Sequence, residues 1–174
     1  MVREILIWPD PILKEKTRLV EAVDDELRLL VDDMFETMYH AEGVGLAANQ
    51  IGVSLRLAVV DTSQSEEGGI GPMVLINPEI LSMEGSIRFR EGCLSIPGEA
   101  EEVIRAEKVR FRFRDLDWNL VEMEATGLSA VAIQHECDHL DGKVYVERIS
   151  SLKRERIRKR MKRLKEARRA QASS

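Results

Sequence analysis

Apolar residues recur at helical spacing after an acidic residue, Asp24 or Asp25, that can cap a helix. The residues that share this apolar face are Leu27, Leu30, Val31, Met34 and Met38. We predict that the helix ends near Glu42, because Gly43 follows and glycine commonly terminates helices. This helix is therefore expected to lie with one face against a core.

A second helix is predicted from about Thr126 to Asp141, where Gly142 ends it. Its inner face follows the spacing i, i+3, i+4, i+7 and i+11 of a helix with one buried side. The residues on that face are Leu128, Val131, Ala132, His135 and His139. Because the face is apolar until its two histidines, the pattern predicts a buried helix that carries a polar site.

Alternation and short apolar runs predict strands elsewhere in the chain. Residues 108–114 alternate between apolar and basic side chains, which is typical of a strand with one face in water. Residues 115–119 are predicted to turn the chain into a partner strand over 120–124. Two short buried strands are predicted at 56–61 and 73–77. This order of elements predicts an α+β fold, with short antiparallel strands around a central buried helix, an N-terminal helix and a basic C-terminal helix.

The bulk composition narrows the class of protein. With 174 residues, 44% of them hydrophobic, the chain can bury one core, and we expect a single domain over residues 1–174. No apolar run is long enough to span a bilayer, so we expect no membrane partner. The first residues lack the apolar stretch of a secretion signal, and two cysteines do not make a disulfide scaffold. We therefore expect a cytoplasmic protein.

The charge is distributed unevenly along the chain. Residues 153–169 carry 11 basic and two acidic side chains, a charge of +9, within a chain whose net charge is −5. We predict a basic helix over about 151–169, followed by a flexible tail over 170–174. Such an arm on an acidic body indicates a polyanionic partner. The alternative is a solvated helix on which like charges are merely tolerated.

His135 and His139 lie four residues apart, with Glu136 beside the first histidine. On a helix, this spacing places both imidazoles on one face, where they can bind one metal ion. Glu136 is then placed to act as a base on a water bound to that ion. The pattern predicts a catalytic metal site, for which a third protein ligand is needed.

The third ligand is not found in the places that metallopeptidases use. Where a third histidine would follow Gly142, the chain has Tyr145, and the nearest downstream acids, Glu155 and Glu166, lie within the basic arm. Cys93, in the segment Glu-Gly-Cys-Leu-Ser, is the better candidate, because a thiolate is a good ligand for Zn²⁺ or Fe²⁺. The alternative for a lone cysteine is a small buried apolar residue.

A third segment, residues 43–50, reads Gly-Val-Gly-Leu-Ala-Ala-Asn-Gln, and its small residues allow backbone to line a ligand cleft. The three segments Gly-x-Gly-Leu-Ala-Ala-x-Gln, Glu-Gly-Cys-Leu-Ser and Gln-His-Glu-x-x-His-Leu, in this order, resemble the signature motifs of bacterial-type peptide deformylase. The resemblance extends over nearly the whole chain. Each motif alone is suggestive, and the three together are specific to that family.

The resemblance implies a metal-dependent hydrolase that removes the N-formyl group from the N-terminal methionine of new polypeptides. It implies that Cys93, His135 and His139 bind the metal, with Fe²⁺ as the native ion and Zn²⁺, Ni²⁺ or Co²⁺ as substitutes. It further implies that a metal-bound hydroxide attacks the formyl carbon while Glu136 transfers protons. The Gln50 side-chain amide and the Leu94 backbone N–H would stabilise the oxyanion, and formate would be released.

The same resemblance implies a substrate pocket and a partner. Backbone at Gly45 and at Cys93–Leu94 is expected to exclude groups larger than formyl. The residues expected to bind the substrate are Val44, Gly43, Leu128, Val131 and Ala132. For the three helix residues, ordinary core packing is an equal alternative. The basic C-terminal helix is expected to bind the ribosome, from which the nascent peptide emerges.

Two other functions are compatible with parts of the pattern. The motif around Glu136 also occurs in zinc endopeptidases, which would use Glu155 or Glu166 as the third ligand. A non-catalytic ribosome- or RNA-binding protein with a structural metal is the other alternative. Structural zinc sites usually have four protein ligands, and only three are visible in the sequence.

Overall fold

A computed structural model describes residues 1–173 and has an α+β fold. Its α-helices are α1 (Asp25–His40), α2 (Gly127–Leu140) and α3 (Ser151–Ala172). Its strands are β1 (Gly45–Ala47), β2 (Leu57–Val60), β3 (Met73–Glu84), β4 (Ile87–Cys93), β5 (Ile96–Arg105), β6 (Lys108–Arg114) and β7 (Leu120–Thr126). Single turns of 3-10 helix occupy Pro11–Lys14, Ala48–Ile51 and Tyr145–Arg148.

The strands form two antiparallel sheets. Five of them make one sheet in the order β1-β2-β3-β6-β7, while β4 and β5 pair only with each other. In the β4–β5 hairpin the register shifts at its closed end, where Gly92 pairs with Ala100 and Cys93 with Ile96. This shift places Cys93 beside a tight turn, at the last residue of β4.

Helix α2 is the central element of the fold. Its buried residues include both apolar side chains, such as Ile133, and polar ones, such as Glu136 and His139. It packs against the inner face of the five-stranded sheet, which contributes Val109, Phe111 and Phe113. A helix covered on all sides has a weak amphipathic pattern. In α2 the polar residues at the end of one face are therefore inside the protein and not on its surface.

Two further groups of apolar residues pack around this layer. Helix α1 covers the other side of β1 and β2 with Leu30, Met34 and Met38. Helix α3 is held by Ile157 and Met161, which are 1% and 3% exposed and pack near Trp8 and Tyr145. The C-terminal helix is therefore anchored to the body through an apolar face.

The predicted helices agree closely with the structure. Helix α1 ends at His40, two residues before Glu42, which itself adopts a left-handed φ of 58°. Helix α2 lies within one residue of both predicted bounds. Helix α3 extends to Ala172, so residues 170–172, which were expected in a flexible tail, are helical. Ala170 and Ala172 favour this extension, because alanine is the best helix former.

The strands differ more from the sequence-based prediction. Strand β3 continues for seven residues past the predicted end at Asn77, with register shifts at Ile76–Glu79 and Ile80–Ser82. Asn77 is left-handed and Pro78 lacks an amide hydrogen, so a bulge accommodates both residues and the strand resumes after them. The predicted α+β class with antiparallel strands is confirmed, while β3 and β5, of 12 and 10 residues, are longer than the short strands expected.

No helix within residues 1–173 combines the length and the hydrophobicity needed to cross a membrane.

The N-terminus of α2 is capped by a residue that is distant in sequence. Its own N-cap, Thr126, makes no side-chain capping bond. Instead, the carboxylate of Glu66 accepts hydrogen bonds from the backbone N–H groups of Leu128 and Ser129, at 3.2 and 3.0 Å, and from the Ser129 hydroxyl at 2.6 Å. A carboxylate satisfies unpaired donors there and complements the positive end of the helix dipole.

We expect Glu66→Ala to lower the free energy of unfolding by about 1–2 kcal/mol, because α2 loses its cap and part of its dipole partner. Urea denaturation followed by circular dichroism measures this loss. The control is Glu67→Ala, which removes the same charge from an exposed side chain next to it. Equal stabilities for the two variants would contradict the capping role.

Candidate metal centre

Three side chains from two distant segments meet at one point. The Sγ atom of Cys93 lies 3.3 Å from Nε2 of His139, which lies 3.0 Å from Nε2 of His135. The three ligand atoms all lie within 4.8 Å of one another. Both histidines come from α2 and the cysteine from the end of β4.

This donor set fits a divalent metal ion. Two imidazole nitrogens and a thiolate suit Zn²⁺ and the other borderline first-row ions, and three protein ligands leave a position for water or substrate. Burial, and then the charge of the neighbouring His135, lower the pKa of His139 well below its usual value, so this imidazole is in the neutral form that binds metals. At His135 burial lowers the pKa, but contacts with Cys93, Glu136 and Glu91 outweigh it and raise that pKa well above its usual value, so a metal ion that binds there displaces a proton. The geometry and the chemistry of the donors therefore agree.

A chain of buried charges supports His135 from behind. Its Nδ1 hydrogen-bonds to Glu91, whose carboxylate accepts two bonds from Arg105, at 2.9 and 2.6 Å. A third nitrogen of Arg105 donates to Asp138 at 2.6 Å, and Asp138 also accepts two bonds from Arg148. With Nδ1 facing a carboxylate, His135 presents Nε2 to the metal site.

Both acids in this chain are held in the ionised form. Burial raises the pKa of Glu91, but hydrogen bonds from His135 and Arg105 outweigh it and leave that pKa below its usual value. For Asp138 the opposing effects are burial, which raises the pKa, and contacts with Arg148 and Arg105, which lower it. The result is a fixed negative group beside the metal-binding imidazole, which increases its strength as a ligand.

Glu136 lies beside the three ligands in a desolvated position. The residue is 2% exposed, and burial raises the pKa of its carboxyl to about 7. Within residues 1–173, no group donates a hydrogen bond to its Oε1. A Cβ on Gly45 would lie less than 3 Å from the carboxyl carbon of Glu136, so a side chain there would displace this carboxyl. Glu136 is thus closely approached on one side, while its Oε1 has no partner among the residues that the structure describes.

Gln50 is oriented by its two neighbours. Its Oε1 accepts a hydrogen bond from the backbone N–H of Ala47 at 2.9 Å. Its Nε2 therefore faces the site, donating to Ser95 Oγ at 3.0 Å and lying 3.7 Å from Cys93 Sγ. A buried amide with a fixed donor is suited to stabilise negative charge on a reacting oxygen.

A cavity of about 660 Å³ opens onto these residues. Its wall includes every residue that the sequence predicted for substrate binding: Gly43, Val44, Leu128, Val131 and Ala132. Gly45, Gln50, Leu94 and Glu136 also line it. At Gly43 a Cβ would lie 2.7 Å from a Leu94 methyl carbon, so the backbone of 43–45 approaches the β4–β5 turn closely. The cavity is thus narrow at its inner end.

Several functional residues were not predicted. Glu91 could have been found, because it is part of the motif Glu-Gly-Cys-Leu-Ser. Arg105 and Asp138 belong to no local sequence pattern, because they pair only in the folded chain. Ser95, which orients Gln50, is in the same motif as Glu91. The rejected ligand candidates lie elsewhere: Glu155 is exposed and pairs with Arg158 at 3.4 Å. Cys137 is buried in the core beneath the sheet.

Comparisons with known proteins point to one family. The sequence profile described as polypeptide deformylase matches residues 2–155. A peptide deformylase of Alkalilimnicola ehrlichii is 54% identical over 94% of this chain and 90% of its own length. One from Pseudomonas aeruginosa is 50% identical over 92% of this chain and 94% of its own.

Solved structures give the same result. A crystal structure of a peptide deformylase from Legionella pneumophila superposes with a TM-score of 0.88 at 44% identity, covering 100% of this chain and 99% of that one. A peptide deformylase from Ehrlichia chaffeensis in complex with actinonin gives a TM-score of 0.88 at 37% identity, covering 93% and 96%.

We expect Glu91→Gln to weaken metal binding about 10–100-fold, because His135 keeps a hydrogen-bond acceptor but loses the negative charge behind it. Competition with a chelator, followed by the release of Ni²⁺ or Zn²⁺, measures the change. The matched control is Glu102→Gln in the same hairpin, whose exposed carboxylate pairs with Arg88 at 3.4 Å. Equal metal affinity in the two variants would show that the charge behind His135 has no role.

Proposed function

The chain belongs to the peptide deformylase family, and from this membership we propose which residues carry out the reaction. The reaction is the metal-dependent hydrolysis of the formyl amide at the N-terminal methionine of a new polypeptide. Its products are formate and a free amino terminus. The observation that carries the assignment of roles is the convergence of Cys93, His135 and His139 beside the buried carboxyl of Glu136.

Cys93, His135 and His139 would hold the metal ion, and we propose Fe²⁺ as the native one. Thiolate and imidazole ligands also accept Zn²⁺, Ni²⁺ or Co²⁺. When bound, the ion lowers the pKa of a coordinated water and polarises the scissile carbonyl. Glu91, through its hydrogen bond to His135, keeps that ring oriented for binding.

Glu136 is the proton carrier in this proposal. Its Oε1 has no partner within residues 1–173, and burial raises the pKa of its carboxyl to about 7, two properties of an efficient general base near neutral pH. It takes a proton from the attacking water and delivers it to the nitrogen of the leaving amine. The absence of a side chain at Gly45 leaves the space that this carboxyl occupies.

Two donors would stabilise the oxyanion that forms on the formyl oxygen. The first is Nε2 of Gln50, whose direction is set by the N–H of Ala47. The second is the backbone N–H of Leu94, in the turn that closes the β4–β5 hairpin. One such donor contributes about 10²–10³ in kcat where it has been removed from other hydrolases.

The cavity suits a formylated methionine. We propose that Val44, Leu128, Val131 and Ala132 surround the methionine side chain, since all four line the cavity next to the ligands. The close approach of Gly43 and Gly45 to Leu94 and Glu136 leaves little room at the inner end. An acetyl group carries one more methyl than formyl and would be excluded there.

The direct test is release of formate from formyl-Met-Ala-Ser by the iron-loaded protein. We expect Glu136→Gln to lower kcat by about 10²–10⁴-fold, because the water loses its base. Metal content serves as the control, since the substitution removes none of the three ligands. Formate release by Glu136→Gln at the parent rate would contradict the role assigned to Glu136. No formate release by the parent protein would contradict the proposed activity itself.

We propose that residues 1–174 form one catalytic domain that works in the cytoplasm beside the ribosome. Residues Arg156, Lys159 and Arg163 are exposed on the side of α3 opposite Ile157 and Met161. This face presents a row of cations suited to the phosphates of ribosomal RNA. The inner face is occupied by packing, so the two faces of the helix have separate roles.

Replacing Arg156, Lys159 and Arg163 by Gln is expected to weaken ribosome binding and to flatten its dependence on salt. Sedimentation with ribosomes at several salt concentrations measures both effects. A control with equal loss of charge replaces Arg88, Arg110 and Arg112, which lie on exposed strand positions. If the two triple variants bound ribosomes equally, the outer face of α3 would have no specific role.

A further inference from the structure

The inner face of α3 continues beyond its apolar residues. Ile157, Met161, Leu164 and Arg168 follow the spacing i, i+4, i+7 and i+11, which places them on one side of a helix. The first two are buried and Leu164 is packed against the same core. The last of the four, Arg168, is exposed and lines the cavity that leads to the metal ligands.

Several contacts fix the path of α3 toward the cavity. Arg160 forms an ion pair with Glu99, and Lys153 lies 3.3 Å from Glu101, so the helix follows β5. The guanidinium of Arg158 stacks 4.8 Å above the ring of Trp8. Arg168 therefore projects from a helix that polar and apolar contacts fix to the body of the protein.

Among residues 1–173, the charges around the cavity leave one arginine without a partner. Of the two arginines that line it, Arg3 pairs with Asp33 at 2.7 Å. Within residues 1–173, no ion pair or hydrogen bond uses the guanidinium of Arg168. Glu4 and Glu42 are exposed on the same wall, while Glu99 is already bound by Arg160. A ligand that leaves the cavity along α3 would meet the guanidinium of Arg168.

We infer that Arg168 recognises an acidic side chain of the substrate downstream of the formylated methionine. This inference rests on the proposed function, because it takes the cavity as the peptide-binding site. An extended peptide advances by about 3.3 Å per residue, so its first few residues span the cavity and the next ones reach the rim. The guanidinium binds carboxylates with two parallel hydrogen bonds, which selects glutamate or aspartate over their amides.

The test uses formyl-Met pentapeptide amides in which one Glu is moved through positions 2 to 5, each paired with a Gln peptide. For the iron-loaded parent, one position should show a KM about two- to fivefold lower with Glu than with Gln, the strength of an exposed ion pair. The preference should appear in KM and not in kcat, and should fall at high salt. Arg168→Gln should abolish it, and Arg168→Glu should prefer Lys at that position.

The control is Arg169→Gln, which removes the same charge from the exposed neighbouring residue of α3, outside the cavity lining, and should retain the preference for Glu. A preference that survives in Arg168→Gln, or no preference at any position in the parent, overturns the inference. Both results leave formate release intact and are therefore distinct from failure of the proposed function, in which no peptide is deformylated.

Discussion

The structure depends on one buried guanidinium. Arg105, on β5, is 3% exposed and binds Glu91 of the same hairpin and Asp138 of helix α2. It is the charged connection between the segment that carries Cys93 and the helix that carries both histidines. A buried cation of this kind is costly unless its partners are in place. The metal ligands therefore converge only in the arrangement of hairpin and helix that satisfies Arg105.

Close backbone packing around the cavity adds to the positioning that the ion pairs provide. Gly45 allows β1 to approach Glu136, and Gly43 allows the segment before β1 to approach Leu94, so three segments meet closely. The cavity then has backbone at its inner end and apolar side chains of α2 along its wall. The polar side chains of Glu136 and Gln50 therefore lie in a desolvated space, where fixed dipoles act strongly.

Local patterns in the sequence predicted helices α1 and α2 and placed His135 and His139 on one face of α2. They succeeded for α2 because its histidines have a helical spacing that metal binding requires. They failed for the β4–β5 hairpin, where Glu91 and Arg105 occupy inward positions and Ile104 faces outward. The alternation that marks a strand is inverted there by the charges that support His135. Arg105 pairs with Glu91 and Asp138, which are 14 and 33 positions away in the sequence. Local patterns cannot predict contacts between residues so far apart.

The anchoring of α3 also has a kinetic consequence. Because apolar contacts and ion pairs join the helix to β5, a surface bound by its outer face would hold the cavity at a fixed orientation and distance. A peptide emerging nearby would then reach the cavity as an intramolecular event. Its rate would depend on an effective concentration set by geometry, and no longer on the number of enzyme molecules in solution. A flexible arm of the same charge would give the same affinity without this alignment.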